Sequence, residues 1–229
     1  MIEELLPSTV VAVEAYGDEG VDAPLYPEEE AVIRRAVLKR RREFTAVRFC
    51  ARRAMEKLGV APVPVLPDGR GAPVWPAGLA GSMTHCQGYC AAVLVRAGDL
   101  ASVGIDAEPH APLPDGVLSS VALPEEAARI ARLSGDVPGV HFDRLLFSAK
   151  ESVYKAWFPL TGKWLDFEEA DVEFQVEEGD GTRGGFRATL LVEGPLVGGR
   201  RVGHFTGRWV ARGDLIATAV AVASPGQQA

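Results

Sequence analysis

The chain is short of cysteine, of histidine and of long apolar runs. Its three cysteines, Cys50, Cys86 and Cys90, are an odd count and give no disulfide framework. His85 and Cys86 with Cys90 invite reading as a metal clip. Structural zinc takes four ligands, usually in two spaced pairs, and the remaining histidines, His110, His141 and His204, are scattered. The longest apolar stretches, 91–95 and 215–223, fall well below the roughly 20 residues of a membrane-spanning helix. The start, Met1-Ile2-Glu3-Glu4, is acidic, whereas a secretory signal opens basic and turns apolar. A soluble, cytoplasmic protein with no membrane partner is expected.

With 229 residues, 47% of them hydrophobic, the chain can bury one large core or two smaller ones. The net charge of −7 gives no ground for nucleic-acid binding. No internal repeat or low-complexity tract is visible.

Hydrophobic periodicity and turn residues suggest the elements. A short strand is expected over Val10–Ala15. From Glu28 to Leu58 no proline or glycine interrupts a helical pattern, so two helices with a kink near Arg41 are expected, stopped by Gly59. Residues 60–80 are proline- and glycine-rich loop. Gly81–His85 leads into a strand, Tyr89–Val95, which should form a hairpin with Ala101–Ala107 around Gly98-Asp99. A short helix follows at Pro124–Leu133. A longer one spans Phe142–Phe158, with Pro159 just past its end. Strands are expected at Ala170–Val176, Phe186–Val192, His204–Ala211 and Leu215–Ala223, then a frayed polar tail from Ser224.

Four features carry chemistry. In Val103-Gly104-Ile105-Asp106-Ala107-Glu108-Pro109, strand alternation puts Asp106 and Glu108 on one face. Adjacent carboxylates repel unless a cation lies between them, and Mg²⁺ is the usual partner of carboxylates and substrate phosphates. A solvated strand end is the alternative. Glu151 and Lys155 stand four apart on the predicted helix and share a face. They form either a surface ion pair or, given their apolar flanks, a buried functional pair. Between Arg34 and Lys57 lie ten basic residues against only Glu43 and Glu56, a face suited to a polyanion or simply to solvent. Arg40 and Arg48 are about two turns apart and roughly aligned. Finally, Gly81-Ser82-Met83-Thr84-His85-Cys86 sets a histidine among hydroxyls that can bond a phosphate, although a lone histidine is more often structural.

Order and spacing tie these features together. The strand Val103–Pro109 resembles the G-[IV]-D-x-E strand of the 4′-phosphopantetheinyl transferases. Phe147-Ser148-Ala149-Lys150-Glu151-Ser152-Val153-Tyr154-Lys155 resembles their [FW]-[SC]-x-K-E-[SA]-x-x-K helix. Gly81–Cys86 is similar to the family's serine–histidine motif, with Thr84-His85-Cys86 where Ser-His-Ser is common. The arginine-rich helix ending at Gly59, and Trp157–Glu168, resemble the enterobactin-synthase-like branch of the Sfp-type enzymes. The stretch Gly69-Arg70-Gly71-Ala72-Pro73 departs from the family's Gly-Lys-Pro, with Arg70 in place of the lysine.

The resemblance implies a mixed α/β (α+β) fold of two similar lobes related by a pseudo-twofold axis, with the active site in the cleft between them. The lobes would divide as 1–108 and 109–229. It implies Mg²⁺-dependent transfer of the 4′-phosphopantetheine arm of coenzyme A to a serine of acyl or peptidyl carrier proteins, by a monomer. Adenosine 3′,5′-bisphosphate would be released. Asp106, Glu108 and Glu151 would ligate Mg²⁺. Glu151 would act as base, Lys155 would hold the pyrophosphate, and Asp106 counts with them as catalytic. Arg40, Arg48, Arg70, Thr84, His85 and Lys150 would contact coenzyme A, with a structural pair as the alternative for Lys150, which points away from Glu151. Fatty-acid, polyketide and non-ribosomal peptide carriers all use this arm. A Mg²⁺-dependent nuclease or phosphodiesterase, and a non-catalytic module clasping coenzyme A or a carrier, are the competing readings.

Overall fold

The uninterrupted stretch after Pro27 folds as two helices, α1 (Pro27–Ile33) and α2 (Leu38–Lys57), in the computed structural model, which describes residues 1–225. Pro27 takes the first helical position, where its missing N–H costs nothing. The break falls at 34–37, before the expected kink at Arg41, because Val37 is extended. Arg41 lies inside α2 and donates to the Ile33 carbonyl at 3.2 Å, satisfying an end of α1 across the gap. Glu29 of α1 is fully buried and accepts from Val65 N (2.9 Å) and Arg52 (2.9 Å).

The small side chains of Cys50, Ala51 and Ala54 let α2 lie close on a sheet of order β1-β3-β2, with β1 Val11–Tyr16, β2 Leu79–Cys86 and β3 Tyr89–Arg96. Strand β3 is buried on both faces. Cys90, Ala92 and Leu94 meet α2, while Tyr89, Ala91, Val93 and Val95 meet Val103, Ile105 and Ala107 of β4 (Leu100–Pro109).

The expected hairpin between β3 and β4 does not form. Both edges of β3 are taken by β1 and β2, so β4 pairs instead with β10 (Leu215–Ala223). It thereby joins a five-stranded antiparallel sheet, β4-β10-β9-β6-β5, with β5 Ala170–Val176, β6 Arg183–Leu190 and β9 His204–Arg212. Side-chain hydroxyls join the two sheets: Ser82 Oγ accepts from Ile105 N and Thr84 Oγ1 from Ala107 N, each at 3.1 Å. A short ribbon, β7 (Leu196–Val197) and β8 (Arg200–Arg201), completes the strands. Strand β6 starts three residues before the expected Phe186, since Gly184 and Gly185 are strand, not turn: a Cβ at Gly184 would meet Gln175 O and the Trp209 indole. All pairings are antiparallel, so the mixed fold is α+β. Residues 226–229 of the polar tail lie outside the described residues; Ser224 itself is buried and donates to Ala97 O at 3.1 Å.

The remaining helices are α3 (Leu118–Val121), α4 (Pro124–Asp136) and α5 (Phe142–Thr161). Helix α5 continues through Pro159 to a left-handed Gly162 cap. The expected stop before proline fails because one missing N–H in the last turn is tolerable while Thr161 Oγ1 and Gly162 N still bond to Trp157 O and Phe158 O.

Helix α5 packs on β4 at a glycine. A Cβ at Gly104 would stand 2.0 Å from Ser152 O and 2.7 Å from Ala156 N. Ser102 Oγ, on the same face, donates to Ala156 O at 2.7 Å. A buried ion pair fixes the helix from its other side: Lys150 Nζ lies 2.7 Å from Glu126 Oε2 of α4 and donates to Phe167 O at 2.5 Å. Glu126 also accepts from Leu123 N and Val172 N, each at 2.7 Å.

Gly104→Ala should cost about 1–3 kcal/mol or more, because backbone on both sides blocks relaxation; a urea unfolding midpoint unchanged from the parent would contradict this contact. Lys150→Met should destabilise by about 3–5 kcal/mol by stranding a buried carboxylate, and the double variant with Glu126→Gln should recover much of that. Equal stability of single variant and parent in the same denaturation would show the pair to be dispensable.

Candidate active site

Alternation along β4 sends Val103, Ile105 and Ala107 into the core between the sheets and Ser102, Gly104, Asp106 and Glu108 to the opposite face. Helix α5 crosses that face, and the close approach at Gly104 sets which of its side chains arrive there. One turn brings both Glu151 and Lys155 over β4. Lys155 Nζ donates to Asp106 Oδ1 at 2.7 Å and to Ile105 O at 3.1 Å. Thr84 Oγ1 donates to the same Asp106 oxygen at 3.1 Å.

Asp106 is only 4% exposed, and its Oδ2 is buried with no hydrogen-bond partner among the described residues. Burial, then the neighbouring Asp106 charge, hold the half-buried Glu108 above the usual carboxylate range, with Arg144 opposing. Burial also raises Glu151, with Lys155 pulling down and Asp106 pushing up. Glu108 and Glu151 thus each feel the Asp106 charge. Among the described residues no group of three or more histidine, cysteine, aspartate or glutamate side chains, Asp106, Glu108 and Glu151 included, stands close enough to hold a metal ion without rearranging. The orphaned Asp106 oxygen is the observation that suits a hard cation: a buried carboxylate oxygen without a donor needs one, and an all-oxygen set of this kind fits Mg²⁺.

Beside this cluster lies a cavity of about 550 Å³, within the range of small-molecule sites. Arg40, Arg48, Arg70, His85, Glu151 and Lys155 all line it. The basic stretch sorts itself on folding. Glu29 takes Arg52, Asp18 takes Arg42, Glu56 takes Arg53 and Glu43 takes Lys39. Arg48 is different. It is 8% exposed, lies 3.6 Å over the Phe44 ring, donates to Val65 O at 3.3 Å, and forms no ion pair among the described residues. Burial lowers its pKa to about 10. A buried guanidinium without a carboxylate, facing a cavity, is suited to pairing with an anion. Arg40 Nη1 lies 3.1 Å from His85 Nε2, which is also 3.4 Å from Glu43. Burial is the chief cause of a lowered His85 pKa.

Arg70 sits on a loop closed by the Pro67–Pro73 bridge and by Asp68 Oδ1, which accepts from Arg70 N and Ala72 N. Its guanidinium donates to Gly162 O at the end of α5 and lies 5.9 Å from the Phe158 ring. Two expected coenzyme A contacts are placed elsewhere. Lys150 is committed to Glu126 away from the cavity, since one residue along a helix turns the side chain by about 100° from Glu151. Thr84 is buried in the wall, serving Asp106 and Ala107 N.

Sequence reasoning missed Arg144, Glu43, Phe44 and Tyr154. Phe44 stands four residues before Arg48, a helical spacing that signals contact; Tyr154 shares the cavity wall with Glu151. Arg144 had no signal, because its partner Glu108 is distant in sequence.

Residues 28–95 match the 4′-phosphopantetheinyl transferase N-terminal domain, and residues 102–191 match the 4′-phosphopantetheinyl transferase superfamily. The chain is 56% identical over 227 residues to 4′-phosphopantetheinyl transferase Svp of Streptomyces mobaraensis, covering 98% of this chain and 90% of that one. It is 46% identical over 226 residues to 4′-phosphopantetheinyl transferase Npt of Nocardia iowensis, covering 97% and 100%. A partial match, 35% identical over 125 residues, covers 55% of this chain and 51% of enterobactin synthase component D of Salmonella typhi. Matches over nearly the whole length show that the chain belongs to the 4′-phosphopantetheinyl transferase superfamily.

Proposed function

We propose that this enzyme transfers the 4′-phosphopantetheine arm of coenzyme A to a carrier-protein serine by using the two ends of its cavity for the two phosphate groups of the substrate. The observation that carries this reading is that Arg48, a buried cation with no ion pair among the described residues, lines the same cavity as Glu151 and Lys155, the latter bonded to Asp106. Arg48, Arg40 and His85 hold the 3′-phosphate, for which the guanidinium forks supply directed donors. Arg70 closes the adenosine side.

Asp106, Glu108 and Glu151 would hold Mg²⁺, which when bound neutralises pyrophosphate charge. Lys155 donates to the pyrophosphate and stabilises charge on the departing oxygen. Glu151 takes the proton from the serine hydroxyl, directly or through water; burial, by raising its affinity for that proton, favours the transfer. The serine oxygen then bonds to the phosphorus of the pantetheine phosphate. The bond from that phosphorus to the bridging oxygen breaks, and adenosine 3′,5′-bisphosphate leaves with the electron pair.

The division of the chain at 108/109, the monomeric state and a cytoplasmic site of action belong to this reading. No helix among the described residues is long and apolar enough to cross a membrane. Trp164, 67% exposed beyond the end of α5, is a candidate contact for the carrier.

Glu151→Gln should lower kcat by roughly 100- to 10,000-fold while coenzyme A binding, read by calorimetry, changes little. Unchanged turnover would remove Glu151 from the base role. Arg48→Ala should weaken coenzyme A roughly 10- to 100-fold but dephospho-coenzyme A far less, because only the former carries the 3′-phosphate. Equal losses for both ligands would place Arg48 elsewhere in the site.

A further inference from the structure

Arg144, in the first turn of α5, spends its whole fork on one short segment. Nη1 donates to Glu108 Oε2 at 3.0 Å, Nε to Ala111 O at 3.1 Å and Nη2 to Pro112 O at 2.8 Å. The preceding residue, Asp143, accepts from Leu113 N at 2.7 Å. The start of the catalytic helix is thus laced to residues 108–113, the stretch that leaves β4. Both members of the ion pair are largely buried, with side chains 15% and 19% exposed. An exposed pair of this kind would be worth little. A fork fixed at three points, two of them backbone carbonyls, has surrendered its freedom and holds its carboxylate in one orientation. Glu108 is the last acid on β4, beside Pro109 at the strand end, and has no other hydrogen-bonding partner among the described residues. Its Oε1 is left for another ligand.

We infer that Arg144 is a positioning residue, which holds Glu108 beside Asp106 and so prepares one ligand of the cation site that the proposed function requires. This rests on the assignment of Glu108 as a ligand. Carboxylates that bind metals are themselves hydrogen-bonded, and loss of such a partner typically weakens metal binding about 10- to 100-fold. Removing the Arg144 charge would have an opposing effect, since a nearby cation repels a metal ion. Arg144→Lys separates the two. It keeps the charge and the helix propensity but cannot reach Glu108 and both carbonyls at once.

The test is Mn²⁺ titration of the full chain with coenzyme A present, followed by electron paramagnetic resonance, with a melting curve for each protein. Arg144→Lys should bind Mn²⁺ about tenfold more weakly than the parent, with coenzyme A affinity unchanged. The Mg²⁺ concentration for half-maximal transfer should rise by the same factor. A role in stability alone would lower the melting temperature and leave Mn²⁺ affinity where it was; that result overturns the inference while the ligand assignment stands. A parent protein that binds no Mn²⁺ beside coenzyme A would overturn the ligand assignment itself, and the role of Arg144 with it.

Discussion

The rest of the site depends on one backbone contact, the approach of α5 to β4 at Gly104. No other residue type leaves room there, with Ser152 O 2.0 Å from where a Cβ would stand. This closeness sets the height and the rotation of the helix over the strand. Ser102, bonded to Ala156 O, fixes the same geometry one strand repeat away, and the Lys150–Glu126 pair fixes it from the far side. With the helix so placed, Glu151 and Lys155 lie over Asp106 and Glu108. With a wider gap the carboxylates would face water separately, and their raised proton affinities would have no cause.

Electrostatics then follows from what the fold leaves unpaired. Most cations of α2 find carboxylates nearby, Arg52 with buried Glu29 and Arg42 with Asp18. Arg48 forms no ion pair among the described residues and lies against an aromatic face and one carbonyl. At the other end Asp106 keeps a buried oxygen without a donor. A buried cation lining the cavity, with Glu151 and Lys155 on its wall and a bare carboxylate oxygen behind Lys155, suits a ligand with two separated phosphate groups. Coenzyme A, with its 3′-phosphate and its pyrophosphate, has that form. Neither end is satisfied by the protein alone, which is the signature of a site held ready and not of a surface ion-pair network.

Much of this was legible in the sequence because local periodicity carries it. Alternation placed Asp106 beside Glu108, the helical repeat placed Glu151 above Lys155, and the strands β5, β9 and β10 fall within a residue of their expected ends. What failed depends on distant parts of the chain. Strand β4 looks like the second half of a hairpin until β1 is known to occupy the free edge of β3. Lys150 reads equally as a substrate contact or a structural pair until α4 delivers Glu126. The family pattern gives Thr84 a role at the ligand, whereas its hydroxyl closes the seam between two sheets. Pro159 reads as a stop signal, and only the packed end of α5 shows it inside the helix. Gly104 marks a motif in the sequence, but the reason for it, a helix backbone in contact, exists only in three dimensions.

The most direct measurement is the intact mass of an apo carrier domain after incubation with this protein, coenzyme A and Mg²⁺. Transfer predicts a gain equal to one phosphopantetheine arm on the carrier serine, release of an equal amount of adenosine 3′,5′-bisphosphate, and loss of both with EDTA. Coenzyme A binding without any mass gain, on carriers from fatty-acid, polyketide and peptide systems alike, would contradict catalysis and leave a binding module.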